Sequence, residues 1–227
     1  MVTSTTLTNG MGGSATTSYN TASIAPSGNK LILIGVYYRR NAATPSVPVV
    51  TGNSLTWVNA ADKLHRDSNT RFTIFRAMGA SPTSGVVNIL HAATVQMCHW
   101  HVISWDGVDT SGTDGSGAAP QGVGVDNANN TTSMSGSLGS AILSPASATY
   151  GGMGLVDVVT SISPGDSETE LVDQTNNVTF NWKSQFQWKQ GTDNNMAWNY
   201  TSGGNNPVGA FVEVRAAPDG GAFILFV

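Results

Sequence analysis

Charged side chains are scarce in this chain. Asp, Glu, Lys and Arg make up only 11% of its 227 residues, less than half of the roughly 25% found in typical soluble domains. The 10 Lys and Arg residues are scattered along the sequence. They form no basic stripe that could neutralise the phosphates of a nucleic acid or the headgroups of an anionic membrane. We therefore expect neither nucleic acid nor a membrane among the partners.

Cysteine is almost absent as well. Cys98 is the single cysteine, which excludes an intrachain disulfide and a cysteine-based zinc site. The first residues contain no apolar signal-peptide core, and no run approaches the ~18 apolar residues of a membrane helix. If Met1 is the natural start, the chain is expected to be made in a host cytoplasm without a signal peptide.

Long apolar patterns with a 3.6-residue period are also missing. Short apolar runs instead alternate with clusters of Gly, Pro, Asn, Asp and Ser, a pattern typical of β-sandwiches and barrels. Hydrophobic residues make up 40% of the chain, enough for a substantial core. The sequence predicts an all-β fold, namely a single antiparallel β-sandwich of the jelly-roll type.

The predicted organisation has one central unit with an extension at each end. Residues 1–18 form an arm or an edge strand, residues 19–216 the sandwich, and residues 217–227 an apolar C-terminal tail. The Gly- and Ser-rich residues 107–140 are either a linker between two domains or a long crossover loop inside one sandwich. We prefer the crossover because each half contains only four or five predicted strands, too few to close a sandwich.

Two predicted strands have informative patterns. Residues 31–38 are apolar on both faces, although a strand of a two-layer sandwich needs only one apolar face. Its second face must therefore be covered by another part of the chain or by a partner. Residues 178–189 alternate regularly, and a row of polar side chains lies opposite to an aromatic face formed by Phe180, Trp182, Phe186 and Trp188.

Four segments carry a resemblance to a known class of proteins. They are residues 27–36 (SGNKLILIGV), 50–57 (VTGNSLTW), 72–77 (FTIFRA) and 102–109 (VISWDGVD). In this order they resemble jelly-roll β-sandwich domains of bacteriophage virion proteins and bacterial surface proteins, over roughly residues 20–215. The resemblance implies a virion or surface component, such as a decoration or tail-associated subunit, located in the virion. It carries no shared catalytic motif.

A few polar residues could support chemistry. His99 and His101 share a strand face and could chelate a metal if a third ligand were present, but local packing explains them better. Asp157 and Glu213 are carboxylates within predicted strands and could serve a glycosidase, although an ion pair between Glu213 and Arg215 is the simpler interpretation.

The Asp residues around the Gly-rich stretch are Asp106, Asp109, Asp114 and Asp126. They could hold Ca²⁺, but Asp-Gly turns explain them better. No nucleophile, phosphate-loop or dinucleotide motif is present. We expect no enzyme, no cofactor and no bound metal.

Aromatic side chains near the C-terminus suggest a glycan-binding alternative. Trp188, Trp198 and Tyr200 could form a platform on which sugar rings stack. The same spacing is also typical of a sandwich core, and this second interpretation is the stronger one.

The C-terminal tail is the most unusual feature of the sequence. Phe223, Ile224, Leu225, Phe226 and Val227 would be an aggregation hazard if exposed. The tail is either a final strand of the chain's own fold or a strand donated to a neighbouring subunit.

Two functions follow from these observations. The first is a virion structural protein that forms a homo-oligomer and binds other virion proteins through its sheet surfaces and its tail. The alternative is a carbohydrate-binding adhesin or receptor-binding domain that recognises surface glycans.

Overall fold

The structure is a computed structural model that describes residues 1–41, 43–156, 161–176 and 181–218, without the side chains of residues 201–204. The described residues form fifteen β-strands joined by turns and loops. The strands are β1 (Thr3–Gly12), β2 (Thr16–Asn20), β3 (Leu31–Arg39), β4 (Val49–Thr51), β5 (Val58–Leu64), β6 (Thr70–Ala77), β7 (Asn88–Val95), β8 (Met97–Asp106), β9 (Gly122–Asp126), β10 (Thr131–Ser137), β11 (Ala148–Val156), β12 (Ile162–Pro164), β13 (Thr169–Asn176), β14 (Trp182–Gln190) and β15 (Asn195–Val214).

The first half of the chain forms one large and one small sheet. The large sheet has the order β1-β8-β3-β6-β5, and the small sheet has the order β2-β7-β4. All neighbouring strands are antiparallel. Residues 3–12 form an edge strand of the large sheet, which was one of the two alternatives expected for residues 1–18.

The second half forms the corresponding pair of sheets, and β15 takes part in both. Residues 195–204 of β15 pair with β10 and β12, whereas residues 205–214 pair with β11 and β9. The second large sheet therefore has the order β9-β15-β11-β14-β13, and the second small sheet has the order β10-β15-β12. The antiparallel all-β class is thereby confirmed, while the jelly-roll connectivity stays a prediction.

The two halves repeat one strand order. Strands β1 to β6 correspond in order to β9 to β14. Residues 195–204 of β15 then take the place of β7, and residues 205–214 of β15 take the place of β8. With this numbering the order of the strands in the two large sheets is the same, and so is the order in the two small sheets. The expectation of only four or five strands in each half is therefore wrong. Residues 107–140 do lead from the first large sheet to the second, but they include the strands β9 and β10 and are not a loop throughout.

Three hydrophobic clusters hold the sheets together in four layers. The central cluster lies between the two large sheets and contains Leu33, Phe72 and Phe186. The second cluster lies between the first large and first small sheets, and the third lies between the second large and second small sheets. The order of the layers is therefore small, large, large, small.

This layering explains why β3 is apolar on both faces. Leu31, Leu33 and Tyr37 belong to the central cluster, whereas Ile32 and Ile34 belong to the cluster under the first small sheet. Every residue from Leu31 to Tyr38 is buried. The second face of this strand is covered by the chain's own small sheet, so the strand does not need a partner molecule.

Candidate functional site

Two of the three proposed glycan-stacking residues are buried in the core. Trp198 is 0% exposed and Tyr200 is 3% exposed, and both belong to the third hydrophobic cluster. The Trp198 ring meets Phe211 edge to face with the centroids 6.3 Å apart. The prediction of a sugar platform at these two residues is wrong, because the second small sheet folds their rings inward. Trp188 is half-buried and packs edge to face against Trp105 at 5.5 Å.

The histidine pair bonds across the central layer interface. His99 Nδ1 lies 2.9 Å from Ser184 Oγ, and His101 Nδ1 lies 3.0 Å from the Tyr150 hydroxyl. Burial lowers the pKa of each histidine to about 3, so both rings are neutral at pH 7. Among the described residues, no cluster of three or more His, Cys, Asp or Glu side chains could hold a metal ion. The two imidazoles therefore join the large sheets to each other.

The carboxylate candidates are not brought together as an acid–base pair. Asp157 lies outside the described residues. Glu213 is only 2% exposed, and its Oε1 accepts a hydrogen bond from Arg215 Nε at 3.1 Å. Its Oε2 accepts a second bond from Gln121 Nε2 at 2.7 Å. The expected ion pair between Glu213 and Arg215 is present.

The Asp residues near the Gly-rich stretch cap turns and form ion pairs. Asp106 Oδ1 accepts the Gly107 N–H at 2.8 Å, and Asp109 Oδ1 accepts the Ser111 N–H at 2.8 Å. Asp126 lies 2.9 Å from Lys63 Nζ and 3.0 Å from Arg66 Nε. These bonds match the turn interpretation of Asp106 and Asp109, while Asp126 ties β9 to the end of β5.

A surface pocket of about 400 Å³ lies where β15 ends. The residues that line it include Glu213, Arg215 and residues 216–218. Ser144 and Leu143 also line the pocket, and Leu143 is 91% exposed.

The outer faces of the two small sheets have no charged side chain. Strands β2, β4, β7, β10 and β12 and residues 195–204 of β15 contain no Asp, Glu, Lys or Arg. We define the first outer face by its exposed residues Ser18, Asn20, Val49, Thr51, Leu90, Ala92 and Thr94. The second outer face is defined in the same way by Ser133, Ser135, Ser137, Ser163, Asn195 and Asn199.

The first outer face also carries an aliphatic pair. Val49 and Leu90 are direct partners across β4 and β7, and they are 59% and 46% exposed. Sequence reasoning did not locate the outer faces, because it interpreted clusters of Asn and Ser between apolar runs as turns. The signal that could have found them is the complete absence of charge from each of these strands.

The proposed partner-binding residues of the tail, from Phe223 to Val227, lie outside the described residues. No helix in the described part of the chain is long and apolar enough to cross a membrane. Comparison with known proteins gave no matching family model, no match among curated proteins and no matching solved structure.

Proposed function

We propose that this chain is a structural subunit of a larger assembly, consistent with the virion component that the sequence resemblance implies. The observation that carries the proposal is the absence of charge from both outer faces. An interface core disfavours charged side chains, because desolvating an unpaired charge is costly. A face that is always exposed to water has no such restriction.

The position of the two outer faces suggests how subunits would meet. They are the outermost layers on opposite sides of the four-layer stack, so one chain can contact two neighbours at once. The first outer face offers the protruding Val49 and Leu90, whereas the second offers mainly small Ser and Asn side chains. Contact between the first face of one copy and the second face of the next is heterologous, and it produces a ring or a filament.

Charge introduced into these faces tests the proposal. Leu90→Lys alters the first face and Ser135→Lys alters the second, while Ser81→Lys adds the same charge at an exposed loop position as a control. We expect the unaltered chain and Ser81→Lys to self-associate in sedimentation velocity and to form rings or filaments in electron micrographs. Each face variant should weaken association at least about tenfold, or about 1.4 kcal/mol.

A wild-type chain that stays monomeric at every concentration would refute this homo-oligomeric function. Equal association of all four proteins would exclude the outer faces as the contact.

The carbohydrate-binding alternative has lost most of its support, because Trp198 and Tyr200 are buried. It retains Trp188, which is half-buried, and the amide and hydroxyl groups of the outer faces. A glycan array probed with the intact chain distinguishes the two functions. If the unaltered chain binds one glycan strongly and Ser135→Lys abolishes that binding, the result would favour the glycan-binding function over assembly.

A further inference from the structure

Strand β1 forms an edge of the first large sheet and is exposed along its whole length. Within the described part of the chain it pairs with β8 alone. None of its ten residues is buried, and each is either exposed or half-buried. Alternate residues of an edge strand direct their backbone N–H and C=O groups away from the sheet, and these groups can pair with another strand. Strand β1 therefore offers a row of backbone donors and acceptors to a partner.

The opposite edge of the same sheet is closed by the chain itself. There β5 of the first large sheet lies against β9 of the second. Lys63 Nζ of β5 lies 2.9 Å from Asp126 Oδ1 of β9. A Cβ placed on Gly124 of β9 would overlap the carbonyl oxygen of Asp62 in β5. The edge at β5 is therefore occupied by a strand of the same molecule.

Composition also separates β1 from the other edge strands of the large sheets. It contains no charged residue and no proline, although these are the residues by which edge strands commonly avoid pairing. Its register is irregular between Thr6 and Thr8, which leaves one regular segment on each side. Met11 in the second segment is 45% exposed. The other edge strands all carry charge, namely Asp62 and Lys63 in β5, Asp126 in β9, and Glu170 and Asp173 in β13.

Strand β13 lies on the same side of the stack as β1. Its Gln174 Nε2 donates a hydrogen bond to the Gly10 carbonyl of β1 at 3.1 Å. Two copies of β13 laid side by side would bring the carboxylates of Glu170 and Asp173 towards their own copies, and like charges on paired strands are destabilising. Two copies of β1 would meet without any charge. On this side of the molecule, β1 is therefore the strand that is suited to pair with itself.

We propose that β1 is a dimerisation edge, at which it pairs antiparallel with β1 of a second copy of this chain. Two identical antiparallel strands are related by a two-fold axis, so each contact occurs twice and the interface is closed. The two first large sheets then form one sheet of ten strands, with the order β5-β6-β3-β8-β1-β1-β8-β3-β6-β5. This contact is independent of the outer faces, because it uses backbone groups of a different sheet and produces dimers instead of rings or filaments.

The test uses the full chain with Leu90→Lys and Ser135→Lys, which disable both outer faces and leave the β1 contact to be measured alone. On this background, Thr5→Lys/Met11→Lys adds one charge to each regular segment of β1. The matched control Ser81→Lys/Ser84→Lys adds the same charge at exposed loop positions. Sedimentation velocity measures association, and hydrogen exchange measures the protection of the β1 amides at low and high protein concentration.

The background protein and the control should form dimers, and exchange of the β1 amides should slow as the concentration rises. The β1 variant should associate at least about tenfold more weakly, because charges on paired edge strands oppose pairing. Its urea midpoint, measured where both proteins are monomeric, should equal that of the control, which shows that the variant is folded.

A background protein that stays monomeric at every concentration would overturn the proposal. A dimer whose β1 amides exchange at the same rate at all concentrations would also overturn it, because the contact would then lie elsewhere. If the unaltered chain forms β1 dimers and nothing larger, the dimerisation edge is supported while the assembly function of the outer faces fails.

Discussion

Gly154 is the position at which the stacking of the two large sheets can be tested most directly. It lies in β11 and faces Tyr37 of β3, and a Cβ placed on it would fall onto the ring atoms Cγ, Cδ1 and Cδ2 of Tyr37. The ring cannot easily yield, because Tyr37 is fully buried. It stacks on Phe72 at 6.5 Å and meets His99 edge to face at 5.9 Å.

Gly154→Ala should therefore destabilise the protein by overpacking. Forcing an extra methyl group into a packed core costs about 1–3 kcal/mol. We expect a cost at the upper end of this range, because the added Cβ would overlap several atoms of the Tyr37 ring at once. For a chain of this length the corresponding loss in melting temperature is about 2–4 °C for each kcal/mol. Urea unfolding followed by the fluorescence of the six Trp residues measures the change.

Two further variants isolate the cause of the effect. Gly139→Ala is the matched control, because nothing lies within 4 Å of its added Cβ, and it should change stability by less than about 0.5 kcal/mol. Tyr37→Leu removes the ring that Gly154→Ala meets, so the double variant should lose at least about 1 kcal/mol less than the two single losses added together. If Gly154→Ala is as harmless as Gly139→Ala, the large sheets do not stack in this register.

Three other outcomes are expected from buried groups. Burial lowers the pKa of His99 and His101 below the value in the unfolded chain, so the unfolded state binds more protons than the folded state between about pH 6.5 and 3. The free energy of unfolding should therefore fall as the pH falls through this window, by up to about 1.4 kcal/mol per pH unit for each histidine. A urea midpoint that does not change across the window would refute the burial of these two side chains. Trp198→Ala should cost about 3–5 kcal/mol in urea unfolding, whereas an exposed sugar-stacking Trp could be removed with little loss. Glu168→Gln should cost about 2 kcal/mol, because the Glu168 carboxylate lies 3.4 Å from the buried Lys189 ammonium, and an unchanged midpoint would show that this pair is solvated.

The strand class could be predicted from the sequence because local patterns determine it. The apolar run at residues 31–38 and the alternating run at residues 178–189 predicted β3 and β14 within a few residues of their observed positions. Strand order is a long-range property, and nothing local in residues 122–137 marked β9 and β10 as strands. The Gly residues of both strands have weak strand propensity, and pairing with β15 determines the conformation of these segments.

The candidate sites were harder to predict than the strands. Burial of Trp198 and Tyr200 depends on a second small sheet that covers the polar face of β14, where Gln185 and Gln187 are also buried. A strictly alternating sequence predicts that such a polar face meets water. Here Gln187 Nε2 instead donates to the Ala197 carbonyl at 2.7 Å. The alternation of polar and apolar residues does not show that a further sheet will supply backbone acceptors to this face. The four-layer arrangement could therefore not be derived from periodicity.

The chain completes the first large and small sheets before it begins the second pair, and this order has a consequence for synthesis on the ribosome. Every strand of the first two layers lies before residue 107, so these layers can complete their hydrogen bonds while the rest of the chain is still being translated. The inner face of the first large sheet, with Leu33 and Phe72, cannot be covered until β11 and β14 have emerged. Throughout that interval the nascent protein carries a sheet-sized apolar surface, so a pause in translation after residue 107 prolongs the period in which it can aggregate or recruit a chaperone.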